Sequence, residues 1–345
     1  MQIIRYEGNP IVTPGVYDWR RAAVFNPGVL YHEGKFYMYE RAAGSLRPFI
    51  TSIGLMESLD GIHFEPACEE PVFTGRMLGY PQGSVEDARV VKIEDRIYMC
   101  YALQPYAFDC YSTGYTLPDY APEVYPQWKE NNTEYMITRS GIAVSLDGKS
   151  FEQLCYTTPP EIDDRDNTLF PEKIGGKYAI LRRPMQYVGK TYGTAIPGIW
   201  ISYSEDLLNW SDPQLVATAE NEQWEGTKIG AAAAPIKTEE GWLLFYHGVD
   251  EKHVYRVGVM LLDLKNPAKV LRRSGNFIME PENYYEKHGL VIPNTVFPTT
   301  VLNLEGTLYI YYGCCDTCIG LARVPLQEVL GFLKEEGVGS KQYVK

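Results

Sequence analysis

The 345-residue sequence lacks the features that mark nucleic-acid-binding, membrane and secreted proteins. Basic residues number 32 against 44 acidic ones, which gives a formal net charge of −12. Because a nucleic acid or an anionic membrane requires a basic face, we expect neither as a partner. No stretch approaches the ~18 apolar residues of a membrane-spanning helix. The N-terminal segment MQIIRYEGNPIVTPG has no basic region followed by an apolar run, so we expect no signal peptide.

Cysteine and histidine are also scarce. The seven cysteines are odd in number and lack framework spacing, which favours reduced thiols and a cytoplasmic location. Cys315 and Cys318 form a C-x-x-C pair, but no second pair accompanies them, so we expect no zinc site. The five histidines lie far apart without the spacing of metal ligands. We therefore expect neither a metal nor another cofactor.

The sequence does contain a pattern that occurs five times. Each copy has an apolar strand, a tight turn and a second strand rich in Tyr and aliphatic residues, which are the signals of a β-hairpin. The copies are FNPGVLYHEGKFYMYERA, EDARVVKIEDRIYMCYAL, LFPEKIGGKYAILRRP, GAAAAPIKTEEGWLLFYHG and FPTTVLNLEGTLYIYYG, with turns at Gly34, Asp95, Gly176, Gly241 and Gly306. A further short strand follows each hairpin. About 69 residues per unit suits a four-stranded blade. We predict an all-β fold, a single five-bladed β-propeller domain over residues 1–345.

Three features modify this repeat. An aspartate follows the third strand in the first three units and is predicted to close a turn on its own backbone, at Asp60, Asp147 and Asp206. The Tyr-rich segment 104–136 lengthens the second unit, and we predict an ordered loop over one face. The segment PLQEVLGFLKEE at 325–336 has helical spacing and predicts a short C-terminal helix.

Charged and polar residues stand at the ends of the first hairpin in every unit. In a propeller the first strand of each blade lines the central channel, so these ends converge on one funnel. A repeat that served packing alone would place apolar or turn residues there, so we predict a functional site at this end of the channel. The positions are Asn26, Arg41, Asp87, Arg89, Arg183, Lys228, His247 and Asp316.

Five segments also resemble glycoside hydrolase family 130, the β-mannoside phosphorylases and related β-mannosidases. They are VEDARV, LFPEK..GKY..LRRP, W..TKIGA...PI.TEEGWLLFYHG, YRVGVMLLDL.NP.KVL.RS and YYGCCDT.IGLA, and the resemblance as a whole runs from about Asn26 to Ala322. The resemblance implies a five-bladed propeller and an inverting glycoside phosphorylase. Such an enzyme cleaves a β-mannosidic linkage with inorganic phosphate and releases α-D-mannose 1-phosphate and a shortened acceptor sugar.

The resemblance also implies roles for particular residues. Asp87 matches the single catalytic carboxylate, which in the family acts through a sugar hydroxyl. Phosphate is already a nucleophilic anion, so cations are needed to hold it and no base is needed. The resemblance implies that Arg165, Arg183, Lys228, His247 and Tyr255 bind phosphate, and Arg165 is expected in the loop DDRDN. It implies that Asn26, Arg41 and Asp316 bind the sugar. The family further implies a possible homo-oligomer.

Residue types alone leave other interpretations open. Asp87 could pair with Arg89 in a turn, and Asp316 could be a turn residue. Arg183 could be an ordinary strand-end charge, Lys228 a solvated lysine and His247 a core histidine bonded to a carbonyl. A hydrolase on the same fold needs a second carboxylate, for which Glu86 and Glu172 are the candidates. A non-catalytic sugar-binding propeller is the third function, and neither the linkage nor the acceptor is fixed.

Overall fold

The structure is a computed structural model that describes residues 1–105 and 138–339. Its antiparallel strands form five sheets, each a blade of the predicted propeller. Blade 1 contains β2 (Ala23–His32), β3 (Lys35–Ala43), β4 (Thr51–Ile53), β5 (Met56–Ser58) and β6 (Glu65–Pro66). Blade 2 contains β7 (Ser84–Ile93), β8 (Arg96–Gln104), β9 (Arg139–Ser145) and β10 (Glu152–Tyr156). The predicted loop 104–136 lies almost entirely outside the described residues.

The remaining strands form blades 3 to 5. Blade 3 contains β11 (Asp164–Leu169), β12 (Tyr178–Pro184), β13 (Ile199–Ser204) and β14 (Gln214–Ala217). Blade 4 contains β15 (Lys228–Ala231), β16 (Ile236–Lys237), β17 (Trp242–Val249), β18 (Tyr255–Leu262), β19 (Val270–Ser274) and β23 (Gly337–Val338). Blade 5 contains β20 (Val296–Leu304), β21 (Thr307–Cys314), β22 (Cys318–Pro325) and, as its outermost strand, β1 (Ile4–Arg5). The α-helices within the described ranges are α1 (Glu222–Glu225), α2 (Tyr284–Lys287) and α3 (Leu326–Glu335).

The innermost strands close a ring. Each contacts the innermost strand of the next blade, and β20 of blade 5 returns to contact β2 of blade 1. Apolar residues that alternate along the strands fill the spaces between neighbouring blades. Each space holds its own buried apolar cluster, to which both neighbouring blades contribute. One residue from each blade represents the cluster in the pairs Leu30 and Met99, Ile142 and Ile180, Leu181 and Leu244, Val259 and Ile310, and Met38 and Leu321. The five-bladed fold predicted from the repeat is therefore confirmed.

The predicted aspartate turns are present. The Oδ1 atoms of Asp60, Asp147 and Asp206 each accept hydrogen bonds from the backbone N–H groups two and three residues later. A serine two residues before each aspartate donates to the same carboxylate. Phe64 and Phe151 then return to the buried core. The predicted C-terminal helix is confirmed as α3, and no helix among the described residues is long and apolar enough to cross a membrane.

One repeat boundary was wrong. The third copy was predicted to begin at Leu169, with Arg165 in a loop before it. The innermost strand of blade 3 is instead Asp164–Leu169, which ends where the predicted copy begins and places Arg165 opposite Arg183 on β12. This strand is rich in polar residues and carries part of the candidate site, which is why it lacks an apolar strand pattern.

Candidate active site

Three innermost strands bulge at equivalent positions. The pairing register shifts after Phe25 in β2, after Glu86 in β7 and after Arg165 in β11. The next residue in each case is left-handed, with φ of 45° at Asn26, 54° at Asp87 and 55° at Asp166. Asn and Asp tolerate this conformation better than other residues with a side chain, and a bulge redirects side chains locally. All three side chains line one cleft at this end of the channel.

The same cleft contains all nine residues to which the family resemblance assigns a role, whereas Arg89, the other funnel position taken from the repeat, does not line it. Asn26, Arg41, Asp87, Arg165, Arg183, Lys228, His247, Tyr255 and Asp316 all line it. Residues that were not predicted as ligands complete the wall: Phe49, Glu86, Ala102, Gln104, Asp166, Val291, Ile292, Thr295 and Phe297. The roles of the nine residues remain predictions, but their assembly into one cleft is a property of the structure.

Asp87 lies on one side of the cleft, where two donors bind the same oxygen. Its Oδ1 accepts hydrogen bonds from Asn26 Nδ2 at 2.8 Å and Arg41 Nη1 at 3.0 Å. Arg41 also donates from Nη2 to Glu86 Oε1 at 2.6 Å, and Gln104 Nε2 donates to Glu86 Oε2 at 3.2 Å. No described residue hydrogen-bonds Asp87 Oδ2. Asp87 is thus held in place by one oxygen while the other remains available in the cleft.

Two carboxyl groups beside Asp87 have raised pKa values. Burial raises the pKa of Glu86 to about 7, with Arg41 opposing and Asp87 adding to the shift. Burial likewise raises the pKa of Asp316 to about 7. The positive charge of Arg41 opposes this shift, and the negative charge of Asp87 adds to it. Three carboxyl groups therefore share one arginine, and they cannot all ionise without mutual repulsion.

A cluster of basic side chains lies on the other side of the cleft. Arg183 is buried, and none of the described residues hydrogen-bonds its Nη1. His247 is fully buried, and burial lowers the pKa of its imidazole to about 3, so the ring is neutral near pH 7. Lys228 Nζ lies 5.3 Å from the Tyr255 ring centroid, and the His247 and Tyr255 rings stack with centroids 5.9 Å apart. Buried donors without protein partners are suited to an anion from solution.

Arg165 joins this cluster from the bulged strand of blade 3. Its Nε and Nη2 atoms donate to Asp163 Oδ1 and Oδ2 at 2.9 and 3.0 Å. The carboxylates of Asp163, Glu86 and Asp166 raise its pKa above the ordinary value against the effect of burial. Arg165 is therefore a charged part of the cleft, positioned by a bidentate partner.

Three of the alternative interpretations do not match these contacts. The Asp87 carboxylate pairs with Arg41, and Arg89 instead bonds Asp166 and the Asp87 carbonyl oxygen. No described carbonyl group bonds either ring nitrogen of His247. Asp316 does lie in the β21–β22 turn, with φ 51°, and also lines the cleft. The second carboxylate candidate Glu172 is half exposed and pairs with Lys237 away from the cleft residues.

The two cysteines of the C-x-x-C motif lie at the β21–β22 turn. Cys315 and Cys318 are free thiols, and the Cys315 thiol donates to the Glu286 carbonyl oxygen at 2.8 Å. Within residues 1–105 and 138–339, no group of three His, Cys, Asp or Glu side chains is arranged to hold a metal ion.

The sequence interpretation missed Asp166, which is central to the basic cluster. A signal was present, because the segments FNPG, EDAR and RDNT place Asn26, Asp87 and Asp166 at the same position of consecutive innermost strands. Aligning the repeat on Leu169 instead of Asp164 hid that equivalence.

Comparison with known proteins finds relatives over almost the whole chain. A family model described as beta-1,4-mannooligosaccharide phosphorylase, for glycoside hydrolase family 130, matches residues 3–335. Two relatives from Thermoanaerobacter sp. (strain X514) are a "Beta-1,2-mannobiose phosphorylase", 36% identical, and a "1,2-beta-oligomannan phosphorylase", 33% identical. Each alignment covers 95% of this chain and 99% of the relative. A solved structure that resembles this chain is that of a beta-1,2-mannobiose phosphorylase from Listeria innocua in complex with beta-1,2-mannobiose. The superposition covers 97% of this chain and 99% of the Listeria chain, with a TM-score of 0.76 and 26% sequence identity.

Proposed function

The chain belongs to glycoside hydrolase family 130, and we propose that it is an inverting phosphorylase that cleaves a β-mannosidic linkage with inorganic phosphate. The products are α-D-mannose 1-phosphate and a shortened acceptor sugar. The reaction uses phosphate as a co-substrate and needs no further cofactor. A sugar phosphate made inside a cell is retained there, which fits the cytoplasmic location expected from the reduced cysteines.

The observation that carries this proposal is the basic cluster opposite Asp87. Arg165, Arg183 and Lys228 supply positive charge, and neutral His247 supplies a ring nitrogen. A hydrolase activates water with a carboxylate base, which such a cluster does not provide. A phosphate anion requires these donors, because Arg offers a planar fork and Lys a point charge to its oxygens.

The contacts of Asp87 support its role as the acid. Asn26 and Arg41 both donate to Oδ1, so the proton of the protonated acid belongs on Oδ2. As a phosphate oxygen bonds to the anomeric carbon, the bond from that carbon to the linking oxygen breaks. The linking oxygen then takes a proton, which Asp87 supplies through a sugar hydroxyl as the family resemblance implies. Attack from the face opposite the leaving group converts a β-linkage into an α-phosphate.

The second candidate function is an inverting β-mannosidase, which requires a free carboxylate to activate water. Both oxygens of Glu86 are bonded, to Arg41 and Gln104, and Asp166 is paired with Arg89 and Arg183. Among the described residues of the cleft, Asp316 is the remaining carboxylate for this role. The test is sugar release from β-1,2-mannobiose with and without phosphate. A phosphorylase releases mannose 1-phosphate only with phosphate, whereas equal release in both would exclude phosphorolysis.

We further propose a β-1,2 linkage as the natural substrate. Both relatives from Thermoanaerobacter act, by name, on β-1,2-linked mannosides and align over 95% of this chain. The family description names a β-1,4 substrate instead, so the two linkages are the ones to compare. Synthesis from α-D-mannose 1-phosphate and mannose should give β-1,2-mannobiose, and a β-1,4 product would overturn this assignment.

A further inference from the structure

Asp166 is a buried carboxylate at the centre of the basic cluster, and no sequence motif assigned it a role. Its Oδ1 accepts a hydrogen bond from Arg89 Nη2 at 3.2 Å. Its Oδ2 lies 2.8 Å from Arg183 Nε and 3.5 Å from His247 Nε2. The side chain is 4% exposed, so it interacts with these neighbours and hardly at all with water.

The fold makes room for this carboxylate. Gly230 on β15 pairs with His247 on β17, directly beside Asp166. A Cβ atom at position 230 would lie 2.2 Å from Asp166 Oδ2 and 2.6 Å from His247 Cε1, closer than real Cβ contacts come. Glycine is therefore required for Asp166 and His247 to approach each other from adjacent blades.

We propose that Asp166 is a positioning residue that orients Arg183 and Arg89 so that the phosphate site is assembled before phosphate binds. This inference rests on the proposed phosphorylase function. Arg183 turns its Nε toward Asp166, and its buried Nη1 is left without a partner among the described residues. Arg89 donates a hydrogen bond to the other oxygen of Asp166, Oδ1, and also donates to the carbonyl oxygens of Ala231 and Ala232.

Only a carboxylate can perform this role. Asp166 places one charged oxygen against each of two guanidinium groups, in a hydrogen bond with Arg89 and an ion pair with Arg183, whereas an amide has one oxygen and one NH₂ group. Asparagine would therefore point a donor at either Arg89 or Arg183. The carboxylate also remains ionised in use, because neighbouring basic groups, chiefly Arg183, outweigh burial and lower the pKa of Asp166 to about 2.

The charge balance favours the same role. Arg89, Arg165, Arg183 and Lys228 would repel one another without a counter-ion, and Asp166 and Asp163 each neutralise part of that charge. A preorganised arrangement of cations binds an anion without first having to be gathered. Loss of Asp166 should therefore weaken the binding of phosphate far more than the binding of mannoside.

The test uses three variants of the full chain in phosphorolysis of β-1,2-mannobiose. Asp166→Asn keeps the volume and removes one acceptor, while Gly230→Ala keeps the charge and displaces the carboxylate together with the His247 ring. Asp263→Asn is the control, because Asp263 closes a backbone turn of blade 4 outside the cleft. We expect KM for phosphate to rise roughly tenfold or more in the first two variants, with KM for the mannoside within about twofold of the parent and no change in the control.

Thermal unfolding with and without phosphate provides the second measurement. Phosphate should raise the melting temperature of the parent chain and of Asp263→Asn, and should lose this effect in Asp166→Asn and Gly230→Ala. If Asp166→Asn fails to fold, Gly230→Ala still tests whether displacing Asp166, together with His247, weakens the binding of phosphate. An unchanged phosphate KM, or equal increases in both KM values, would overturn the positioning role. A parent enzyme that needs no phosphate would instead overturn the proposed function.

Discussion

At the scale of single residues, Asp87 is the side chain on which the proposed proton transfer depends. Its left-handed backbone and its two donors to Oδ1 fix the carboxyl group in the cleft. Asp87→Asn keeps the shape and removes the transferable proton. We expect the rate of phosphorolysis to fall about 10²- to 10⁴-fold, the range typical of general acid catalysis. Initial rates of mannose 1-phosphate release measure this.

Asp95→Asn is the matched control for that variant, because Asp95 is exposed in the turn at the opposite end of the same β7–β8 hairpin. It should retain the parent rate. A small effect of Asp87→Asn, comparable with that of Asp95→Asn, would remove Asp87 from the mechanism.

The raised pKa values of Glu86 and Asp316 predict a particular pH dependence of stability. Their ordinary pKa values are 4.5 and 3.8, and burial raises both to about 7 in the folded chain. Between about pH 4 and pH 7 the folded protein therefore holds protons that the unfolded chain has released, and stability falls as the pH rises. Asp316→Asn removes one of these groups and should reduce the loss of melting temperature between pH 5 and pH 8. The same loss in the variant as in the parent would contradict the raised pKa of Asp316.

Residue type and position in the repeat predicted the membership of the cleft well. Seven of the eight funnel positions taken from the repeat line it, with Arg89 as the exception, and the family resemblance supplied Arg165 and Tyr255. The contacts among these residues could not be predicted. That Arg41 joins Asp87 to Glu86, and that Asp166 joins Arg89 to Arg183, depends on how blades 1 to 3 are oriented around the channel.

At the scale of elements, the aspartate turn is the unit that ends the third strand of a blade. In blade 2, Asp147 Oδ1 accepts from the backbone N–H groups of Lys149 and Ser150, and these bonds lower the pKa of Asp147 to about 2. Asp147→Ala removes the acceptor and should reduce the free energy of unfolding by about 1 kcal/mol. Urea unfolding measures the change.

Asp147→Asn keeps the acceptor oxygen and should lose less stability than Asp147→Ala. Neither variant should alter KM for phosphate, since Asp147 lies outside the cleft. Equal losses in both variants would show that the charge of Asp147, and not its acceptor oxygen, stabilises the turn.

Elements with strong local signals were the ones that could be predicted. Hairpins such as β20–β21 have paired apolar strands around a Gly turn, and α3 has helical spacing. The two-residue strands β1 and β23 carry no pattern of their own, because their pairing with β22 and β19 depends on the assembled blades. The inner strand of blade 4 is divided into β15 and β16, and Pro235 between them cannot donate to a sheet.

At the scale of the whole molecule, the propeller is a ring that the chain ends help to complete. Strand β1, from the N-terminal segment, forms the outer edge of blade 5, whose other strands come from residues 296–325. Arg5 in β1 reaches the segment before blade 5, where its Nε bonds Glu286 Oε1 at 2.7 Å and its Nη2 donates to the Glu280 carbonyl oxygen. The Tyr312 hydroxyl of β21 donates to the same Glu286 oxygen.

This arrangement makes Arg5 a test of ring closure. Glu286 is fully buried, so Arg5→Ala would leave a buried carboxylate without its cation and should cost about 3–5 kcal/mol. Arg21→Ala is the control, because Arg21 pairs with Asp18 in an exposed ion pair that should contribute about 1 kcal/mol or less. The urea midpoints of the two variants measure the difference. If β1 and blade 5 unfold together with the other blades, Arg5→Ala should shift a single transition to lower urea. Similar midpoints for both variants would show that closure of blade 5 does not depend on this buried pair.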